Sequence, residues 1–170
     1  IAAALTERSD ADIIVTTGGA SVGDHDLIQP ALVDSGGAVD FWRIAMRPGK
    51  PVMVGTLGNA IVLGLPGNPV SAYVTALLLL LPLVRRLLGY QHVVPIISQG
   101  TAGSFFPANG ARQDFMRARI DDARLYRIGN QDSGALSALQ SADALVVRGA
   151  HAGEAQPGDP IDYIALDRAG

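Results

Sequence analysis

The chain contains no cysteine. That excludes disulfides and thiolate metal sites, and it permits a reducing, cytoplasmic location. Lysine is almost absent: Lys50 is the only one, against twelve arginines. A strong excess of either charge is also missing, since the formal net charge is only -3. A general nucleic-acid or anionic-membrane binder would carry a basic surplus, so neither partner is expected. The most apolar stretch, Val70 to Val84, is fifteen residues and is broken by Ser71, Tyr73, Thr75 and Pro82. A transmembrane helix needs roughly 20 residues, so a buried helix, half core and half subunit interface, is the expectation. No Walker A lysine pattern, serine nucleophile elbow or dinucleotide fingerprint occurs. His92 and His151 have no partners at metal-ligand spacing.

What is present is a chain of 170 residues, 48% apolar, enough for one sizeable core or two small ones. It opens on Ile1 and a helical run, Ala2 to Arg8, without an initiator methionine or a preceding strand. It therefore reads as a fragment of a longer protein.

The first half alternates strand and helix signals, which predicts an α/β fold. Asp12 to Thr16 reads as a buried strand. Leu27 to Ser35 reads as a helix with Asp26 (or Asp24) as N-cap, Pro30 in the first turn and Gly36-Gly37 as its stop. Val39 to Ala45 reads as a strand and Met46 to Pro51 as a loop. Val52–Leu57 and Ala60–Leu65 form a hairpin about Gly58-Asn59. Pro66-Gly67-Asn68-Pro69 then turns the chain into a helix over Val70 to Leu88, which Pro82 should kink or divide. After Gly89 short β-prone runs recur between turns: 93–97, 114–120, 124–128, 144–148 and 160–166. One helix, Gly134 to Ser141 capped by Ser133, interrupts them. The run Phe115 to Ile120 alternates as a half-buried antiparallel strand does. The reading is a partial doubly wound, three-layer α/β/α domain over residues 1–89, followed by a small all-β, barrel-like domain over 90–170.

Three loops of the first half should emerge at one edge of the sheet. Thr16-Thr17-Gly18-Gly19-Ala20-Ser21-Val22-Gly23-Asp24-His25-Asp26 leaves a strand with three glycines in six positions and ends in two carboxylates around a histidine. Ligands of open α/β sheets bind at the carboxyl ends of strands. Bare amides cradle anions there, and carboxylates hold a divalent cation. Arg43, Arg47 and Lys50 surround the Pro48-Gly49 turn and supply positive charge. Pro66 to Pro69 is a rigid turn opening onto a helix N-terminus, which reads as an anion site. Asp26 has two readings, helix N-cap or ligand of magnesium. His25 reads as a solvated neighbour.

TTGGASVGDHD, MRPGKP and GLPGNPVSAYV, in this order and spacing, resemble the molybdopterin molybdenumtransferases and the related C-terminal region of gephyrin. ARQDFMRARI resembles that family's G-R-x-x-[FY]-x-R-[AV] strand, with Ala111 before Arg112 where glycine is usual. GNQDSGALSALQSADALVV resembles its terminal signature. The resemblance covers essentially the whole chain.

It implies the latter part of a molybdopterin-binding domain, then the family's C-terminal β-domain. It implies a transferase that inserts molybdate into adenylylated molybdopterin and releases AMP, assisted by Mg2+. Asp26 would be the catalytic, metal-holding aspartate. Thr17, Gly18, Gly19, Ser21, Gly23, Arg47, Lys50, Pro66, Gly67, Asn68 and Pro69 would bind substrate. The parent protein would be a homodimer whose sites borrow residues from the partner's N-terminal domains. An acidic motif and the first strand would precede this segment, so the fragment alone is expected to be silent in catalysis. The competing readings are a molybdopterin adenylyltransferase, disfavoured by the appended β-domain, and a gephyrin-like dimeric scaffold.

Overall fold

The computed structural model describes residues 1–18, 27–132, 134 and 136–166, with Trp42 described through its backbone only. The chain divides into two compact units: Ile1–Ile44 with Gly49–Leu80, and Ala45–Pro48 with Leu81–Gly170. The boundary read from composition, Gly89-Tyr90, falls nine residues beyond Leu80.

In the first unit, helix α1 (Ala2–Thr6) leads to strand β1 (Ile13–Thr17), helix α2 (Ile28–Asp34) and strand β2 (Ala38–Arg43). After strand β3 (Met46–Arg47), which belongs to the second unit, come β4 (Pro51–Leu57), β5 (Ala60–Leu65) and helix α3 (Pro69–Thr75). The sheet runs β1-β5-β4-β2. β1 lies parallel to β5, and β4 is antiparallel to both β5 and β2. The β4–β5 hairpin closes on Leu57 opposite Ala60, so Gly58-Asn59 is its two-residue turn.

Strand periodicity sorts the apolar side chains onto two faces. Met53, Leu57 and Val62 join Leu5 of α1 and Leu32 of α2 in one buried cluster. Val52, Leu63 and Leu65 face the other way, against Ala72, Ala76, Leu79 and Leu80. Each such aliphatic side chain contributes roughly 1.5–3 kcal/mol when fully buried, and the outcome is the expected three-layer α/β/α arrangement. Helix α2 ends as its glycines dictate. Gly36 N–H donates to Val33 O at 2.9 Å and Gly37 N–H to Leu32 O at 2.9 Å, the paired bonds of a Schellman stop. Its N-cap is Leu27, with no side-chain cap. The cap position read for Asp26 is thus one residue early, and Asp24 and Asp26 lie outside the described residues.

The helical run from Pro69 continues as a π-helical segment, Ala76–Leu80, and then α4, Leu81–Leu87. Proline has no N–H and its ring clashes with the carbonyl four residues back. The change of helix type just before Pro82 divides the helix as its sequence required, and the division between units falls at the same place. Together these segments make one helix, Pro69–Leu87, long and apolar enough to cross a membrane. Its first two turns are instead built into the core of the first unit, with Val70, Ser71, Val74 and Thr75 buried. No residue of Ala76–Leu87 is fully buried.

The second unit holds strands β6 (Ser98–Ala102), β7 (Gln113–Asp121), β8 (Arg124–Arg127), β9 (Ala144–Arg148) and β10 (Pro160–Ala165), with helix α5 (Leu136–Gln140). Their order is β3-β7-β8-β6-β10-β9, and β9 pairs back onto β7. Five strands therefore close into a barrel, which leaves no free edge inside the ring, and β3 adds in parallel to β7. Phe106, Met116, Ala118, Leu125, Val146 and Ile161 fill it.

Two expectations change here. Residues Val93 to Ile97 form no strand: Ile96 is 79% exposed, and β6 begins only at Ser98. Pro95 cannot donate to a ladder. Strand β7 does not alternate, because Asp114 to Ala118 are all buried. Its non-core side is occupied by polar partners instead. The expected cap Ser133 lies outside the described residues.

Candidate functional site

In the first unit the strand register assembles the edge. Thr17 stands opposite Leu65 in the parallel β1–β5 pair, so both strands end together. Met53 opposite Gly64 brings the start of β4 to that same edge, and Arg43 opposite Pro51 adds the end of β2. Gly18, Arg43, Lys50 and Pro66 thus share one sheet edge. Gly18 N–H donates to Leu65 O at 3.1 Å. Gly18 has φ +80°, and a Cβ placed on Gly67 would lie 3.2 Å from the Gly18 Cα. The first and third turns meet there with bare backbone on both sides, as close approach to a ligand or another backbone demands.

The third turn differs from its sequence reading. The Asn68 side-chain oxygen accepts the N–H groups of Val70 at 3.2 Å and Ser71 at 3.4 Å. The Asn68 carbonyl accepts Ala72 N–H at 2.8 Å. Pro69, at the first helical position, has no N–H to offer. The donors of this helix start are consumed by its own cap, so the helix N-terminus is not an open anion site. Pro66 is buried, Gly67 and Pro69 are exposed and Asn68 is half-buried.

Lys50 is exposed, and its carbonyl accepts the Ile44 N–H at 3.3 Å. Arg47 lies in the second unit, on β3 opposite Asp114. Its Nε donates to Asp114 Oδ1 at 2.9 Å and its Nη2 to Asp114 Oδ2. The Asp114 side chain is 3% exposed while that of Arg47 is 54% exposed. Thr17 is exposed at the end of β1. The Thr16 hydroxyl beside it is buried with no partner among the described residues. Gly19, Ser21, Gly23, His25 and Asp26 lie outside the described residues. Among the described residues, no group of three or more histidine, aspartate or glutamate side chains is placed to hold a metal.

A second polar cluster sits on the barrel. Arg117 is 1% exposed, and its Nη2 donates to Asn130 O at 3.2 Å and Asp132 O at 3.0 Å. Burial lowers the Arg117 pKa from its ordinary value, and the negative charge of Asp132 opposes that shift. The Gln131 side chain accepts Arg117 N–H at 3.0 Å and donates to Arg117 O at 2.9 Å and Ile128 O at 2.7 Å. These bonds account for the burial of Arg117 within β7. Sequence reasoning assigned no role to Asp114 or Gln131. The signal for the first was a carboxylate directly before the apolar pair Phe115-Met116 of a strand, where a buried site tolerates it only with a cationic partner.

Residues 1–86 match the family described as a probable molybdopterin binding domain, and residues 99–166 match the MoeA C-terminal region (domain IV). The chain belongs to the molybdopterin-binding domain family. A molybdopterin molybdenumtransferase of Haemophilus influenzae is 35% identical over 164 residues, covering 92% of this chain and 40% of the relative. The molybdenum cofactor synthesis protein cinnamon of Drosophila melanogaster is 32% identical over 142 residues, covering 79% and 23%. Gephyrin of Dictyostelium discoideum is 39% identical over 95 residues, covering 46% and 13%. The chain thus spans two fifths or less of these relatives' lengths. The molybdopterin biosynthesis moea protein from Pyrococcus horikosii shares the fold, with a TM-score of 0.77 at 24% identity over 96% of this chain and 40% of that one. The molybdopterin-binding match thus covers the α/β part of the chain, and the MoeA C-terminal match covers the barrel strands.

Proposed function

We propose that the full-length protein is a transferase that inserts molybdate into adenylylated molybdopterin, releasing AMP and yielding molybdenum cofactor. The observation that carries this reading is the meeting of Gly18 and Gly67 at a sheet edge that also holds Arg43 and Lys50. Backbone without side chains admits a flat, phosphate-bearing ligand closely, and the two cations offset its charge. Thr17, Gly19, Ser21, Gly23, Pro66, Asn68 and Pro69 complete the substrate-binding set of this unit, and Arg47, on the second unit, is assigned a substrate-binding part of its own. Pyrophosphate and molybdate are both anions, so a donor-rich pocket with positive bias favours bringing them together.

Asp26 offers the hard carboxylate oxygen that magnesium prefers. When bound, the cation would supply neutralisation of phosphate charge. The parent protein acts as a cytoplasmic homodimer with sites completed by N-terminal domains of the partner, and the isolated segment is inactive. The partly exposed apolar side chains of Leu81–Leu87, none of them fully buried, support an interface between copies. The same face supports the second reading, a gephyrin-like scaffold. An adenylyltransferase is disfavoured by the match to the MoeA C-terminal region.

AMP release from adenylylated molybdopterin, measured on the full-length protein with and without molybdate, tests the proposal. Molybdate-dependent release is expected. A protein that stays dimeric and folded but releases no AMP is the scaffold. ATP-dependent adenylylation of molybdopterin would point to the third activity.

A further inference from the structure

We infer that Asp114 is a positioning residue that aims Arg47 at an anionic ligand, a role that rests on the substrate-binding part assigned to Arg47 above. The two residues face each other across the parallel β3–β7 pair, Arg47 opposite Asp114 and Met46 opposite Gln113. A backbone bond from Gln113 N–H to Ala45 O at 2.9 Å extends the same short ladder. The backbone beneath the guanidinium is thereby fixed.

The side chain is fixed as well. Both carboxylate oxygens of Asp114 are used, one by Nε and one by Nη2 of Arg47. This fork sets the plane of the guanidinium and leaves Nη1, with the second hydrogen of Nη2, free to serve another acceptor. The exposures divide in the same sense. Asp114 is shut away at 3% while Arg47 is open at 54%. The carboxylate meets little water and competes with no ligand, and the cation keeps a solvent-facing side. A freely rotating arginine would lose its rotamer freedom on capturing an anion; here much of it is already lost.

The pairing has a rival interpretation, and the two predict opposite signs. If Asp114 simply cancels the charge of Arg47, replacing it with the neutral Asp114→Asn strengthens anion binding. If it aims Arg47, the same change weakens it although the protein becomes more positive. The probe is inorganic pyrophosphate, titrated calorimetrically into the full-length protein. Asp114→Asn is expected to raise Kd by about tenfold, as is Arg47→Lys, which keeps the charge but loses the fork. Arg47→Gln raises it similarly, and adding Asp114→Asn to Arg47→Gln changes nothing further.

Unchanged or tighter binding by Asp114→Asn overturns the inference, as does full additivity in the double variant. Should Asp114→Asn fail to fold, Arg47→Lys decides, and wild-type affinity there overturns it equally. Molybdate-dependent AMP release by a parent protein whose Asp114→Asn variant binds pyrophosphate normally removes this inference alone. Absence of both turnover and pyrophosphate binding in the parent removes the functional reading with it.

Discussion

Gly18 and Gly67 meet backbone to backbone, and a Cβ on Gly67 would stand 3.2 Å from the Gly18 Cα. The two residues end different strands, yet the parallel register of β1 and β5 delivers them to one point. Substitution at either should have unequal consequences. Gly18 holds φ +80°, so Gly18→Ala is expected to cost about 1–2 kcal/mol of stability through the left-handed backbone alone. Gly67→Ala requires the turns to part by a few tenths of an ångström, with a smaller loss of stability and a clear loss of pyrophosphate affinity. Urea unfolding and calorimetric titration separate the two, and wild-type values for both variants would contradict the close approach.

Asn68 serves the helix before it can serve a ligand. Its side-chain oxygen holds the Val70 and Ser71 N–H groups, so Asn68→Ala should lose about 1 kcal/mol. Asn68→Asp keeps the acceptor and places a negative charge at a helix start, where it is favourable. Its thermal midpoint should equal or exceed wild type. The same charge stands beside the proposed anion site, so pyrophosphate affinity should fall. An Asp variant that lost stability and kept affinity would reverse the assignment.

The apolar surface of the long helix carries its own test. Leu87 and Leu88 are 50% and 69% exposed, at the end of a segment in which nothing is fully buried. Changing either to Asp should leave the fold intact by circular dichroism, since an exposed position contributes little to the core. If the face joins two copies, sedimentation of the full-length protein should shift toward monomer. A dimer that survives both changes places the interface elsewhere.

Asp26→Ala should abolish magnesium-dependent AMP release by the full-length protein while leaving it folded. Helix α2 takes Leu27 as its N-cap, so the substitution removes no N-cap residue from it. Circular dichroism checks the fold, and AMP release is followed across a magnesium titration. Unchanged molybdate insertion by the variant takes Asp26 out of the chemistry.

Most of the architecture was legible because it rests on local signals. Gly58-Asn59 sets the hairpin, Gly36-Gly37 the helix stop and Pro82 the change of helix type within the long helix, each through backbone geometry that sequence states directly. What was illegible depends on contacts distant in sequence. Arg47 and Asp114 are 67 residues apart, and no local pattern pairs them. The run Val93 to Ile97 carries strand-forming side chains, but strand formation also needs a pairing partner, and among the described residues that segment pairs with no strand. The edge of the candidate site followed from the order of strands and loops. The closure of its helix N-terminus did not, because whether Asn68 caps the helix or greets a ligand depends on a rotamer.

Gln131 shows how a side chain can complete a sheet. Its amide accepts the Arg117 N–H and donates to the carbonyls of Arg117 and Ile128, standing in for a peptide group beside β7. Gln131→Leu has nearly the same volume but leaves the Arg117 N–H without its acceptor in a site where Arg117 is 1% exposed. An orphaned buried donor costs about 1–3 kcal/mol, and a loss in that range is expected from urea unfolding with an unchanged m-value. Gln131→Glu keeps the acceptor but gives up both donated bonds and turns a carboxylate oxygen toward the carbonyls of Arg117 and Ile128, so its loss should be comparable. The Arg117 guanidinium holds the carbonyls on either side of Gln131, and an added carboxylate there meets a favourable charge. If the leucine variant proved as stable as wild type, the 128–132 segment would be held by the Arg117 side chain alone, and Arg117→Met would then carry the entire loss.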